Sequence, residues 1–274
     1  IDSILYREYL KQRYAIPLPG KSDPSLSGVN EIYYTGELGP IISCSIENLY
    51  QNSILQSEVV LNEDPLNFVK GSLKKIIERS KIKESYAEVT ENCEPELLSA
   101  LKNLSSGYFH YLNNPWVSFN SRLLAADAIR IARETIEKII KYVSFSGGIP
   151  VQIDHDEIIF VPPRDVINEE LEQNFISMLG KKVPEIEKLV FRFRARRVLS
   201  YRKKNLAFLL YNNKIILRSN LLLSRNIEKF GRKFLLQCID LLLNNRIDEI
   251  HKLYNAYYHN IIERKMDVLD FMRT

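Results

Sequence analysis

The sequence predicts an α+β protein, and three observations carry that prediction. Segments rich in β-branched and aromatic residues cluster at 31–46, 151–160 and 189–217. Between and after them run stretches whose apolar residues recur at three- and four-residue spacing, the pattern of amphipathic helices. With 274 residues and 45% hydrophobic content, the chain can bury a real core, as one large domain or as two to three subdomains.

Residues 1–15 read as a helix with Leu5, Tyr9 and Leu10 on one face, followed by a loop marked by Pro17, Pro19, Gly20, Pro24 and Gly28. The segments 31–35 and 40–46 flank a turn of Gly36, Glu37, Leu38 and Gly39, which predicts a hairpin leading into a short helix over 48–56. Pro65 opens a helix with Phe68, Leu73, Ile76 and Ile77 as its stripe, and after a polar turn at 91–95 a second helix carries Leu97, Leu98, Leu101 and Leu104. Asn120 or Ser121 caps a further helix through Leu124, Ala128, Ile131, Thr135 and Ile139, stopped by Gly147 and Gly148. An apolar run over 151–160, broken by Asp154, His155 and Asp156, predicts a hairpin with acids at its turn. Strands follow at 189–195, 206–211 and 214–217, with Asn212 and Asn213 as a tight turn, and beyond Leu223 the chain is helical.

Charge is unevenly distributed. From Lys188 to Ile227 no acidic residue occurs, while eleven Lys and Arg side chains do; the preceding stretch from Asp154 to Glu187 is mostly acidic. Net charge is only +4, so the basic block, rather than the total, is the expected electrostatic footprint of a polyanion such as nucleic acid. Cys44, Cys93 and Cys238 are odd in number and widely spaced, which excludes a disulfide framework and a zinc ribbon. No apolar run approaches the roughly 20 residues that span a bilayer, and no signal peptide pattern opens the chain, so no membrane partner and an intracellular, cytoplasmic location are expected. The chain begins at Ile1 rather than at a methionine, which leaves room for an upstream domain.

The sharpest chemical feature is Ile153-Asp154-His155-Asp156-Glu157-Ile158-Ile159-Phe160-Val161. In an extended segment, residues two apart point to the same side, so Asp154 and Asp156 are candidates to hold a hard divalent cation together. Acids are also common in solvated turns, and from this motif alone the solvated-turn reading is preferred. On the strand 189–195, Arg192, Arg194 and Arg196 alternate with Phe191, Phe193 and Ala195, which predicts three guanidiniums on one face for phosphate binding. Pairing with the acidic segment before it would absorb some of them.

These residues, taken with their neighbours, resemble the motifs of family B DNA polymerases in the family's order. The Asp154–Asp156 segment resembles motif C at the tip of the palm hairpin. Ser45-Ile46-Glu47-Asn48-Leu49-Tyr50-Gln51-Asn52-Ser53-Ile54 resembles motif A, with Tyr50 at the position of the gate against ribose and Ser45 where the family has its metal-bridging Asp. Residues 102–110 resemble motif B, with Lys102 retained and Ser106 replacing Asn; Arg79 and Lys83 match the fingers arginine and lysine that contact the triphosphate. Arg202, Lys203 and Lys204 resemble the segment that touches the primer–template duplex, and Arg218 to Asn226 the stretch after it, with Arg225 retained.

The resemblance implies a right-hand polymerase core of α+β class, an antiparallel palm sheet with helical fingers and thumb. Palm is expected over 1–64 and 118–205, fingers over 65–117 and thumb over 206–274. It implies Mg2+ at Asp154 and Asp156, primer–template DNA and a deoxynucleoside triphosphate as ligands, and other replication proteins as partners. Nucleotidyl transfer of this kind uses two metal ions bridged by carboxylates. A serine cannot bridge them, and losing several kcal/mol of charge stabilisation slows the reaction by roughly 10² to 10⁴. The expected function is therefore a degenerate polymerase core that binds primer–template DNA, like the inactivated archaeal paralogues of the family. Two alternatives remain open: a slow active polymerase for lesion bypass or repair, with Glu47 or Glu157 substituting for the lost acid, and a non-catalytic scaffold of a replication complex.

Overall fold

The computed structural model describes residues 1–19, 26–62, 64–89, 95–166, 168–219 and 227–272. The chain divides into two compact units, one made of 1–29, 46–139 and 183–188, the other of 30–45, 140–182 and 189–274.

The first unit is helical: α1 (Asp2–Lys11), α2 (Leu49–Gln56), α3 (Phe68–Val89), α4 (Pro95–Leu112) and most of α5 (Arg122–Phe145). Leu5 and Tyr9 of α1 are buried as expected, but Leu10, one residue before the helix ends at Lys11, is 63% exposed. Tyr9 donates its hydroxyl to Asp64 Oδ1, and the same carboxylate accepts the Phe68 and Val69 N–H groups, so one buried acid both anchors α1 and caps α3. The helix thus opens at Phe68 rather than at Pro65. In α4 the buried face is Ser105, Tyr108, Phe109, Tyr111 and Leu112, at the C-terminal end, whereas Leu97 in the expected stripe is exposed. Ser121 caps α5 through the Leu124 N–H, and Leu124, Ala128, Ala132, Ile139 and Val143 form its fully buried stripe.

The second unit holds two sheets. Strands β1 (Asn30–Ile32), β3 (Ile41–Ile46), β4 (Ile149–Asp154), β5 (Glu157–Val161) and β6 (Leu189–Ala195) form one, in the order β1-β4-β5-β3-β6. Strands β2 (Gly36–Leu38), β7 (Arg197–Arg202), β8 (Asn205–Leu209) and β9 (Ile215–Ser219) form the other, in the order β2-β7-β8-β9. The β4–β5 hairpin matches the sequence reading; the expected hairpin of 31–35 with 40–46 does not form. Instead β1 pairs with β4 at the sheet edge, β3 pairs with β5, and the expected turn contributes β2, which pairs with β7 in the other sheet. The reason is burial. Every residue of β3 is buried, which requires neighbours on both sides, and Gly39 lies so close to the Arg196 carbonyl that a Cβ could not be accommodated.

Two further elements escaped sequence reading. Strand β7 alternates buried Val198 and Ser200 with more open Arg197, Leu199 and Tyr201, a period-two signal masked by its arginines. Helix α6 (Glu169–Lys182) buries Phe175, Ile176 and Leu179, a stripe hidden inside an acid-rich segment. Strand β8 explains why 206–209 reads as a continuous apolar run: Leu206 and Phe208 face a cluster with Ile41, Val151, Ile159, Ala195 and Val198, while Ala207 and Leu209 face Ile239 and Leu243 of α7 (Lys229–Leu243). The expected segment boundary after residue 205 lies inside this strand. Helix α8 (Asp248–Ile262) follows α7, so the helical reading of the C-terminal region holds over the described residues.

Candidate functional site

The site is built on the tip of the five-stranded sheet. Asp154 closes β4, His155 and Asp156 make the turn, and Glu157 opens β5. The turn is tight because His155 takes a left-handed conformation, φ +58°. Cα register pairs Asn30 with Asp154, Asp154 with Glu157, and Glu157 with Ser45. Directly paired residues of an antiparallel sheet share a face. One transverse row therefore runs Asn30, Asp154, Glu157, Ser45 across four strands. The strand ends at Asp154, so the carboxylate that shares its face is Glu157 across the hairpin; Asp156 belongs to the turn, and the i, i+2 argument from an extended chain does not apply to it.

Each member of the row has a partner from the protein. Asn30 donates to Asp154 Oδ1 at 3.2 Å, and Lys204 Nζ lies 3.7 Å from the same oxygen. Glu157 accepts from the Ser43 hydroxyl and, at 2.5 Å, from Arg218, whose guanidinium lies over the rings of Phe193 and Phe208 at 5.0 and 5.4 Å. Arg192 donates its Nε–H to the Ser45 hydroxyl at 2.7 Å. Burial pushes the Asp156 carboxyl above the usual range, against the pull of Arg192. On the same strand as Asp154, Gln152 is buried and neither end of its amide has a hydrogen-bond partner among the described residues.

As placed, this donor set does not fit a pair of divalent cations. The carboxylates of the row carry Lys204 and Arg218, and the position opposite Glu157 is a hydroxyl that carries Arg192. Among the described residues no group of three His, Cys, Asp or Glu side chains is gathered as a metal shell. Glu47 follows the end of β3 and sits in the turn before α2, so it does not continue the strand face of Ser45.

The remaining sequence candidates are distributed as follows. Tyr50 is buried in α2; its hydroxyl accepts the Val29 N–H at 2.7 Å and its ring lies 4.5 Å from that of Phe109. Arg79 is exposed on α3, and Lys83 follows one turn later. Lys102 on α4 is paired with Glu84 at 2.6 Å, and Ser106 donates to the Asn103 carbonyl. Arg194 is paired with Glu169 and Glu172 of α6 and lies 4.6 Å over the Tyr211 ring, as the acidic-segment alternative anticipates. Arg196 lies just past β6 and reaches Asn213. Arg202 and Lys203 are exposed at the β7–β8 turn and have no ion pair among the described residues, while Lys204 in the same turn reaches Asp154. Arg225 lies outside the described residues. Sequence reading missed Ser43 and Asn30 and the roles of Arg192, Lys204 and Arg218 as partners of the row. Only strand register could have found them.

No protein-family model matches the sequence, and no curated protein matches it. Solved structures do. The family B DNA polymerase of the hyperthermophilic archaeon Pyrobaculum calidifontis superposes with a TM-score of 0.70 over 98% of this chain, at 17% sequence identity. The chain spans 39% of the length of that polymerase. The similarity is one of fold: a distant polymerase-like, α+β architecture with antiparallel sheets. No described helix is long and apolar enough to cross a membrane.

Proposed function

We propose that this chain is a polymerase-like core that holds primer–template DNA and has weakened or lost nucleotidyl transfer. The polymerase-like fold supports the nucleic-acid reading, and so do Arg202 and Lys203, two exposed cations free to meet phosphates at one hairpin turn. The observation that carries the catalytic half is the contact between Ser45 and Arg192. Where bridging chemistry needs a carboxylate between two metal ions, this chain has a neutral hydroxyl that accepts from the Arg192 guanidinium. On this reading the expected palm, fingers and thumb segments stand except at the thumb boundary, which moves out of β8, and Lys102 and Arg79 remain the candidates to contact a triphosphate. Other replication proteins are the natural partners of a core that holds DNA without copying it.

Primer extension with Mg2+ and with Mn2+, run beside a salt titration of labelled primer–template, tests both halves. Salt-sensitive duplex binding with little or no extension is expected, because each neutralised phosphate adds close to one unit to the log–log salt slope. Robust extension abolished by Asp156→Ala would refute the weakened-transfer reading. Absence of any salt-sensitive duplex binding would refute the DNA reading and favour a scaffold.

A further inference from the structure

Within the first unit, α1 and α3 enclose a cavity of about 320 Å³ whose wall is apolar and whose border is basic. Phe68 and the buried Ile76 supply the apolar surface, and at Gly71 an added Cβ would meet nothing within 4 Å, so the helix leaves open space there. Arg7 and Lys11 from α1, and Lys75 and Arg79 from α3, bring four cations to the cavity against one carboxylate, Glu8. Within each pair the two residues are one helical turn apart, so each helix turns a basic stripe to the same opening. Lys11 is paired with Glu8 at 2.9 Å, and Lys11, Lys75 and Arg7 all help to hold the Glu8 carboxyl below its usual range. Arg7, Lys75 and Arg79 have no ion-pair partner among the described residues, and all three are exposed.

Three exposed cations that form no ion pair among the described residues, set around one apolar recess with a single carboxylate, call for an anion with a flat apolar part. From this geometry we infer that the α1–α3 groove binds single-stranded nucleic acid, with phosphates on Arg7, Lys75 and Arg79 and a base against Phe68 and Ile76. Stacking on an apolar surface combined with a basic track is how single strands are held without sequence preference. The volume lies at the small end of the range of ligand pockets, about 300–1,000 Å³, which suits one nucleotide unit and not a duplex. The inference takes its ligand class from the proposed function and shares Arg79 with the triphosphate expectation, but uses none of the residues of the carboxylate row or of the β7–β8 turn.

The test is fluorescence anisotropy of a short labelled oligothymidylate and, separately, of a labelled primer–template duplex, over a series of salt concentrations. The proteins are the wild type, Arg7→Ala/Arg79→Ala, and a charge-matched control, Lys181→Ala/Lys182→Ala, whose two cations lie exposed on α6. The groove variant is expected to lose about tenfold in oligothymidylate affinity and to lower the log–log salt slope by about 1.4, from two single-strand phosphate contacts at ~0.7 each. The control should stay within about threefold of wild type. A groove variant that binds the oligonucleotide like the control overturns the inference, as does a wild type that binds duplex and no oligonucleotide. A wild type that binds the oligonucleotide through the groove but not the duplex supports the groove and overturns the duplex reading instead. Circular dichroism of the three proteins separates loss of binding from loss of fold.

Discussion

The Ser45 hydroxyl accepts a 2.7 Å hydrogen bond from Arg192 Nε, 147 residues away in sequence, and the serine is 2% exposed. A carboxylate placed at residue 45 would meet that guanidinium before it met a metal ion, because a charge-assisted bond of fixed geometry is already in reach.

Ser45→Asp alone is therefore expected to form an Arg192 ion pair and to leave Mn2+ affinity, read by electron paramagnetic resonance or calorimetry, unchanged within about threefold of wild type. Ser45→Asp combined with Arg192→Met removes the competitor and is expected to raise Mn2+ affinity by about tenfold or more. Equal affinity in the two variants would mean that Arg192 is not what keeps the site closed to metal.

The Arg218–Glu157 pair ties the four-stranded sheet to the five-stranded one, with the acid held mostly inside. Arg218→Met leaves a carboxylate with Ser43 as its remaining partner and should cost about 1–3 kcal/mol in denaturant unfolding. Adding Glu157→Gln removes the stranded charge, so the double variant should be less destabilised than the sum of the singles by about 1 kcal/mol. Strict additivity would show that the pair is solvated and carries no coupling.

Gln152, two residues before Asp154 on β4, is buried with both amide atoms unpartnered among the described residues. An unmade hydrogen bond on a buried group costs about 1–3 kcal/mol, so Gln152→Met, of similar size and without polar amide atoms, should raise stability by about 1 kcal/mol or more at unchanged m-value. A loss of that size instead would show that the amide is satisfied by bound water or ligand.

The Asp156 carboxyl is raised by burial, so its protonated form is favoured in the folded state relative to the unfolded one. Its contribution to stability is fully present below the unfolded carboxylate pKa of about 3.9 and is lost as pH rises through the higher folded value. Asp156→Asn removes the ionisation, and its advantage over wild type in melting temperature should be largest at neutral pH and should shrink on acidification through this window. Asp127 and Glu185, held below their usual range by hydrogen bonds from Ser57 and Lys138, act in the opposite direction in both proteins and cancel in the comparison. A pH-independent difference would mean that Asp156 titrates as a solvated acid.

Sequence alone determined the local units: the β4–β5 hairpin with its acidic turn, the short helix after β3, the Ser121 cap and the helical C-terminal region. These depend on side-chain period and on turn or cap residues within a few positions, which the chain carries wherever it is placed. Tertiary structure decided the rest. It sent 36–38 into the second sheet, placed Glu157 rather than Asp156 across from Asp154, and delivered Arg192 and Arg218 to Ser45 and Glu157. Strand partners and register are set by which surfaces a strand can bury, through contacts between residues far apart in sequence; a fully buried strand such as β3 therefore accepts neighbours that no local pattern names.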